Sequence, residues 1–176
     1  GMSAQIWSEV VRTDQDMEYR LYPRLFSVAE RAWHKADWEL DYQQGRRFEK
    51  GVTHHVDQQR LNNDWQRFAN LLGQSVLARL DTLGIAYRIP VPGAEIRSGR
   101  LLANTALPGI TIEFSTNGGQ QWLRYNPQQA PTVTGDVLVR SVSPDGKRFS
   151  RNVAPTPTGT ENVVSSTTGQ QVPDLG

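Results

Sequence analysis

The stretch between residues 57 and 84 constrains this chain more than any other. Leu61, Trp65, Phe68, Leu72, Val76, Leu80 and Leu83 recur three or four residues apart, and the stripe stops at Gly84, a residue suited to the left-handed turn that ends a helix. A long helix with one apolar face has to cover something. The available masses are the helical pattern before it and the β-rich segment after it.

Upstream, Thr13 and Asp16 have capping-box spacing, and Met17, Leu21, Leu25, Val28 and Ala32 then follow at helical intervals, so the pattern predicts a helix to about Lys35. Pro23 falls inside it, where it would remove a hydrogen bond, and a break or fresh start is expected at Tyr22 and Pro23. Residues 37–51 read as a polar connector. Residues 1–8 alternate in the period of a strand, with no hairpin partner beside them. A lone strand leaves its backbone groups unpaired, so it is expected to be mobile, to pair with something distant or removed, or to self-associate with the same segment of a second copy.

After the Ile89-Pro90-Val91-Pro92-Gly93 segment the pattern changes to short β-rich runs at residues 100–104, 111–115, 121–125, 137–143 and 148–153. Asn117-Gly118-Gly119 and Pro144-Asp145-Gly146 punctuate them, predicting two hairpins and an immunoglobulin-like or fibronectin-like β-sandwich. The fold class expected is α+β, with a helical unit at 1–86, a sandwich at 87–153 and a weakly packed, flexible tail at 154–176 that is rich in Thr, Ser, Pro, Gly and Gln.

Composition excludes several functions. The 19 Lys and Arg nearly balance the 18 Asp and Glu, so no net field gathers nucleic acid or an acidic membrane. With no cysteine there is neither a disulfide, a thiolate metal site nor a cysteine nucleophile. No apolar run reaches the length of a membrane span. The adjacent His54 and His55, with Asp57 nearby, lack a second cluster to complete a coordination sphere, so no metal and no cofactor is expected. His34 suits the negative end of the first helix. Trp122 and Tyr125 fit a sugar platform, but a large aromatic in an alternating strand more often fills a core, and Trp122 is assigned to the core. Trp7 and Glu9 stand two apart in an extended segment and so share a face: an aromatic wall beside a carboxylate acceptor, suited to a hydroxyl-rich ring. On spacing alone, a core Trp and a solvated Glu account for the pair better.

The residues carry a resemblance. Gln5-Ile6-Trp7-Ser8-Glu9, then Tyr22-Pro23-Arg24-Leu25 and Ala29-Glu30-Arg31-Ala32-Trp33, resemble the end of the catalytic barrel in family 20 glycoside hydrolases, the β-N-acetylhexosaminidases. Asp64-Trp65 with Phe68, Leu80-Asp81, Gly84-Ile85-Ala86-Tyr87-Arg88-Ile89-Pro90, and Phe114-Ser115-Thr116-Asn117-Gly118-Gly119 with Trp122 are similar to the bacterial chitobiases, so the resemblance runs over residues 1–153. It implies that residues 1–9 and 14–35 correspond to the last strand and helix of a (β/α)8 barrel, whose active residues lie at the carboxyl ends of its strands. It also implies that Trp7 lines the pocket for a terminal N-acetylglucosamine and that Glu9 accepts hydrogen bonds from its outer hydroxyls.

In the family the substrate's own acetamide attacks the anomeric carbon while an adjacent Asp-Glu pair orients the acetamide and protonates the leaving oxygen, an exception to the two-carboxylate scheme. No Asp-Glu dipeptide occurs in this chain. The expectation is therefore a C-terminal fragment that contributes Trp7 and Glu9 to a chitobiase-like parent, has no catalytic residue of its own and is inactive alone. The resemblance places that parent in the periplasm or outside the cell, acting on N-acetylglucosamine-containing oligosaccharides. The alternatives are a stand-alone carbohydrate-binding or adhesion sandwich and a structural partner that completes another chain's barrel.

Overall fold

A computed structural model describes residues 2–39, 41–47, 49–50 and 56–158. His54, His55 and most of the expected tail, from residue 159 onward, lie outside the described residues.

The capping box at Thr13 forms. Asp16 N–H donates to Thr13 Oγ1 at 3.1 Å, Thr13 N–H returns a bond to Asp16 Oδ2 at 3.1 Å, and helix α1 (Asp14–Leu21) follows. The hydrogen bond from the Thr13 hydroxyl, then that from the Arg12 amide, holds the Asp16 carboxyl below its usual range. The break expected at Pro23 occurs, across a cis Tyr22–Pro23 peptide, before α2 (Arg24–Trp33). The Asp57 side chain caps α3 (Gln58–Leu71) by accepting from the Gln59 and Arg60 amides, both at 3.1 Å. A π-helical turn (Leu72–Val76) leads from α3 into α4 (Leu77–Thr82).

That turn re-phases the apolar stripe. Ala69 and Leu72 are buried in α3 and at its end, but the next buried apolar side chain is Leu77, five positions after Leu72, and then Leu80; Trp65 and Leu83 of the expected stripe are exposed. A π turn adds a residue per turn, so a strict 3.6-residue count misses Leu77. The helix ends as expected at Gly84, with φ of 71° and two closing bonds, Ile85 N–H to the Leu80 carbonyl and Gly84 N–H to the Asp81 carbonyl.

Six strands follow among the described residues: β1 (Gly93–Arg97), β2 (Arg100–Asn104), β3 (Thr111–Ser115), β4 (Leu123–Arg124), β5 (Leu138–Val142) and β6 (Thr156–Thr158). They form two three-stranded sheets, in the orders β2-β1-β6 and β4-β3-β5, antiparallel apart from the parallel β1–β6 pair. The hairpin at Asn117-Gly118-Gly119 joins β3 to β4 as expected. The run at 148–153 forms bridges rather than a strand: Phe149 opposes Val142, and Val153 opposes Val139. Ser98 and Gly99, both at positive φ, turn β1 into β2.

The described residues form two cores. Ala69, Leu72, Leu77, Leu80, Tyr87, Ile89, Leu107 and Ile110 form one, against which Tyr22 and Phe26 pack from the first helical pair. The other combines residues of both sheets, including Leu101, Ile112, Phe114, Tyr125 and Val139. An α+β chain results. Among the described residues no helix is long and apolar enough to cross a membrane.

Among the described residues the segment with the period of a strand stands unpaired, and the reading of Trp122 is corrected. Residues 2–8 form no strand: Val11 N–H closes a turn on the Ser8 carbonyl at 3.0 Å, and no described strand lies alongside to pair with them. Trp122 belongs to neither core. It is half-buried, with its ring under the Arg140 guanidinium at 3.9 Å.

Candidate functional site

Trp7 and Glu9 lie in the segment that enters α1. Trp7 is 74% exposed, and Glu9 is exposed within the Ser8–Val11 turn, so the pair stands in solvent just before the Thr13 cap. Because a turn intervenes, the shared face expected of an extended segment is not held by a strand. Both side chains nevertheless remain open to a ligand.

What fixes this region lies behind it. The Glu18 carboxylate on α1 accepts from the Ala86 amide at 2.7 Å, and the Arg88 amide donates to the Tyr22 carbonyl at 3.0 Å. These two bonds fasten the first helical pair to the segment that leaves α4. An open cleft of about 560 Å³ runs between α1 and residues 147–151, lined in part by Thr13, Tyr19, Tyr87 and Arg148. It includes neither Trp7 nor Glu9.

Asp64 of α3 is a buried carboxylate, 7% exposed, that gathers four donors. Arg31 Nη2 (3.3 Å) and Trp38 Nε1 (2.9 Å) donate to Oδ2, while Arg67 Nη2 (3.3 Å) and His34 Nε2 (3.1 Å) lie on Oδ1. Burial alone would push its carboxyl up, but the Trp38 bond, His34 and Arg67 outweigh that and hold it below the ordinary value. His34 is thus placed by Asp64, where helix-terminus electrostatics alone had been expected. Glu30, His34 and Asp64 present ligand atoms within 4.8 Å of one another, near enough for one cation to touch all three. Yet both Asp64 oxygens already accept from guanidinium groups, and a divalent ion there would face Arg31 and Arg67 at close range. The cluster is an anchor for the α2 end on α3.

A second anchor joins α4 to the β-rich unit. Arg148 Nη2 donates to Asp81 Oδ1 at 2.6 Å and its Nη1 to the Tyr87 carbonyl at 3.2 Å, while Tyr87 Oη–H and the Asp145 amide donate to Asp81 Oδ2 at 3.3 and 3.2 Å. The guanidinium also covers the Tyr87 ring at 4.3 Å. Burial, then the Asp81 charge, pushes the Tyr87 phenol above its ordinary value.

Two family profiles match the chain in order. That of the glycosyl hydrolase family 20 catalytic domain matches residues 1–36, and that of the chitobiase/β-hexosaminidase C-terminal domain matches residues 76–152. N,N'-diacetylchitobiase of Vibrio harveyi is 48% identical over 151 residues, which is 86% of this chain and 17% of that protein. The β-hexosaminidase of Vibrio vulnificus is 39% identical over 154 residues, 84% of this chain and 18% of that protein. The β-hexosaminidase B of Pseudoalteromonas piscicida is 49% identical over 77 residues, covering 43% and 10%.

This chain belongs to the chitobiase/β-hexosaminidase family.

It spans less than a fifth of the two Vibrio relatives, 17% and 18%. Along the chain, the catalytic-domain match holds Trp7, Glu9, Glu18, Arg31 and His34, and the C-terminal-domain match holds Asp81, Tyr87 and Arg148. Asp64 falls between the two. The anchoring residues were missed as a functional set because each joins positions far apart in sequence. The local signal they leave in the sequence is the pair of motifs Asp64-Trp65 and Leu80-Asp81, in which an acid sits beside an apolar position of a helical stripe.

Proposed function

We propose that this chain is the carboxyl-side part of a β-N-acetylhexosaminidase that removes terminal N-acetylglucosamine from chitooligosaccharides by substrate-assisted, retaining hydrolysis outside the cytoplasm. In this reading residues 1–86 are the last strand and helix of a (β/α)8 barrel with the connecting long helix, and residues 87–153 are an immunoglobulin-like domain. Trp7 stacks on the terminal sugar and Glu9 accepts from its outer hydroxyls. The observation that carries the reading is the order of the two family matches, catalytic-domain then C-terminal-domain, along one chain in which both side chains of the Trp7–Glu9 pair are open. Pairing of residues 2–8 as a barrel strand would then require strands that the described residues do not contain.

The reading makes the isolated chain a poor catalyst. The family's acid and acetamide-orienting carboxylate form an Asp-Glu dipeptide, and the sequence has none. General acid assistance alone contributes roughly 100- to 10,000-fold. The purified 176-residue chain, assayed on an aryl N-acetylglucosaminide, is expected to give no turnover above the blank. Turnover that follows the chain through purification and is lost in a Trp7→Ala variant would defeat this reading.

A stand-alone sugar-binding module would need a free aromatic face on the β-rich unit. Trp122 does not supply one: it is half-buried, Arg140 lies over its ring at 3.9 Å, and a Cβ built on Gly119 would be in ordinary contact with the ring at 3.5 Å. Arg140 is itself engaged by Glu113 at 2.8 Å and by the Phe149 ring at 3.7 Å. The stack is already filled by the protein's own groups.

A further inference from the structure

We infer that Glu18 is a positioning residue for the Trp7–Glu9 segment, through which the linker to the β-rich unit sets the placement of the sugar contacts; the inference rests on the sugar-binding role proposed for that segment.

The path is short and continuous. Arg148 of the β-rich unit holds Asp81 at 2.6 Å and the Tyr87 carbonyl at 3.2 Å. Tyr87 is 1% exposed, so the neighbouring Ala86 amide is fixed in place. That amide donates to Glu18 at 2.7 Å across 68 residues of sequence. Glu18 lies two positions beyond Asp16, whose carboxylate accepts from the Arg12 and Thr13 amides at 3.2 and 3.1 Å. Arg12 follows Val11, whose amide closes the turn on Ser8 and so carries Glu9.

The other attachments of the first helical pair lie further along it. Tyr22 and Phe26 pack on the first core, and the Arg88 amide bonds the Tyr22 carbonyl. They leave the amino-terminal part of α1 to be set by Glu18 and by the weak stacking of Arg88 over Tyr19, at 5.7 Å. No residue of α1 is fully buried, and Met17 is only half-buried, so packing holds this end of the helix in part. Among the described residues Glu18 bonds the Ala86 amide and not the Trp7 or Glu9 side chain. Its effect is on where they stand, and the glutamine variant, which keeps an acceptor oxygen, should preserve much of it.

Hydrogen exchange on the 176-residue chain is the first test. Losing a charge-assisted hydrogen bond is worth roughly a tenfold to hundredfold change in a local opening equilibrium. E18A is therefore expected to speed exchange about tenfold or more at the Ala86 and Val11 amides, with Leu77 and Leu80 unaffected, and E18Q should restore most of the protection. Faster exchange at Ala86 with Val11 unchanged would overturn the inference, leaving Glu18 as a local tie. So would acceleration throughout α4, which would report general loosening.

The second test is kinetic, in an intact family 20 enzyme that carries this stretch. Misplaced contacts to the non-reacting part of the sugar weaken ground-state and transition-state binding alike, so E18A should raise KM roughly tenfold with kcat within about twofold, and E18Q should return KM toward normal. An unchanged KM alongside a raised KM in W7A overturns the role of Glu18. If W7A and E9Q also leave KM unchanged, the sugar-binding assignment fails, and the exchange result then stands by itself as a statement about the turn.

Discussion

Replacing Arg148 by alanine should destabilise the chain by about 3 kcal/mol, measured as a fall in the urea midpoint with the slope unchanged. An exposed ion pair would not carry such a figure, because solvent and side-chain entropy reduce it to about 1 kcal/mol or less. Asp81 is different: its side chain is 3% exposed, and it sits at the end of a helix beneath the 147–148 turn. Without the guanidinium the carboxylate keeps only the Tyr87 hydroxyl at 3.3 Å and the Asp145 amide at 3.2 Å. Removing one partner of a buried pair typically costs about 3–5 kcal/mol because the other charge is left uncompensated. The lower end applies here, since Arg148 is 33% exposed and one side of the pair meets water.

The companion variant separates charge loss from packing loss. Asp81→Asn in the Arg148→Ala background removes the orphaned charge and should recover part of the loss, a non-additivity expected only for groups in direct contact. Arg148→Lys keeps the charge but not the fork that reaches both Asp81 Oδ1 and the Tyr87 carbonyl, so it should fall between wild type and alanine. A loss below about 1 kcal/mol for Arg148→Ala would mean that Asp81 regains water without the arginine, and that the two units are joined by their apolar contacts alone.

The parts of this fold that could be read in the sequence are those whose cause is local. The Thr13–Asp16 box, the break at Pro23 and the stop at Gly84 each follow from a few neighbouring residues, and each stands in the structure. Strand β1 was missed because Gly93-Ala94-Glu95-Ile96-Arg97 has one β-branched residue and becomes a strand through pairing with β2 on one side and β6 on the other. The Asp64 anchor draws on Arg31, His34 and Trp38, which lie 33, 30 and 26 residues away, and the Asp81–Arg148 pair spans 67. No periodicity reports separations of that kind. Trp122 was assigned to a core from its size and strand position, whereas a guanidinium from β5 supplies the partner that an apolar interior would otherwise provide. Trp7 and Glu9 were singled out by family resemblance. Their exposure is visible in the fold, and their strand pairing is not.

Gly73→Ala tests the other feature that no local pattern announced, the π-helical turn. In an ordinary helix interior this change stabilises, by roughly 0.5–1 kcal/mol, because alanine has less backbone entropy to lose. Here the sign should reverse. A Cβ built on Gly73 would lie 1.9 Å from the main-chain oxygen of Pro108 and 3.0 Å from its carbonyl carbon. The helix and the 107–110 segment therefore meet backbone to backbone, and Leu107 and Ile110 on either side are buried in the first core with Leu72 and Leu77. Making room for the methyl group means moving that segment off the helix, and overpacking of this kind costs roughly 1–3 kcal/mol. We expect a net loss of about 2 kcal/mol in urea unfolding. Because the obstructing atom belongs to the backbone, Gly73→Ala combined with Pro108→Ala should be no more stable than Gly73→Ala alone. Gly84→Ala, at a positive φ but with nothing within 4 Å, should lose only the roughly 1–2 kcal/mol of left-handed strain. An unchanged or raised midpoint for Gly73→Ala would show that residues 107–110 yield freely, and that the close approach does not hold the π turn in place.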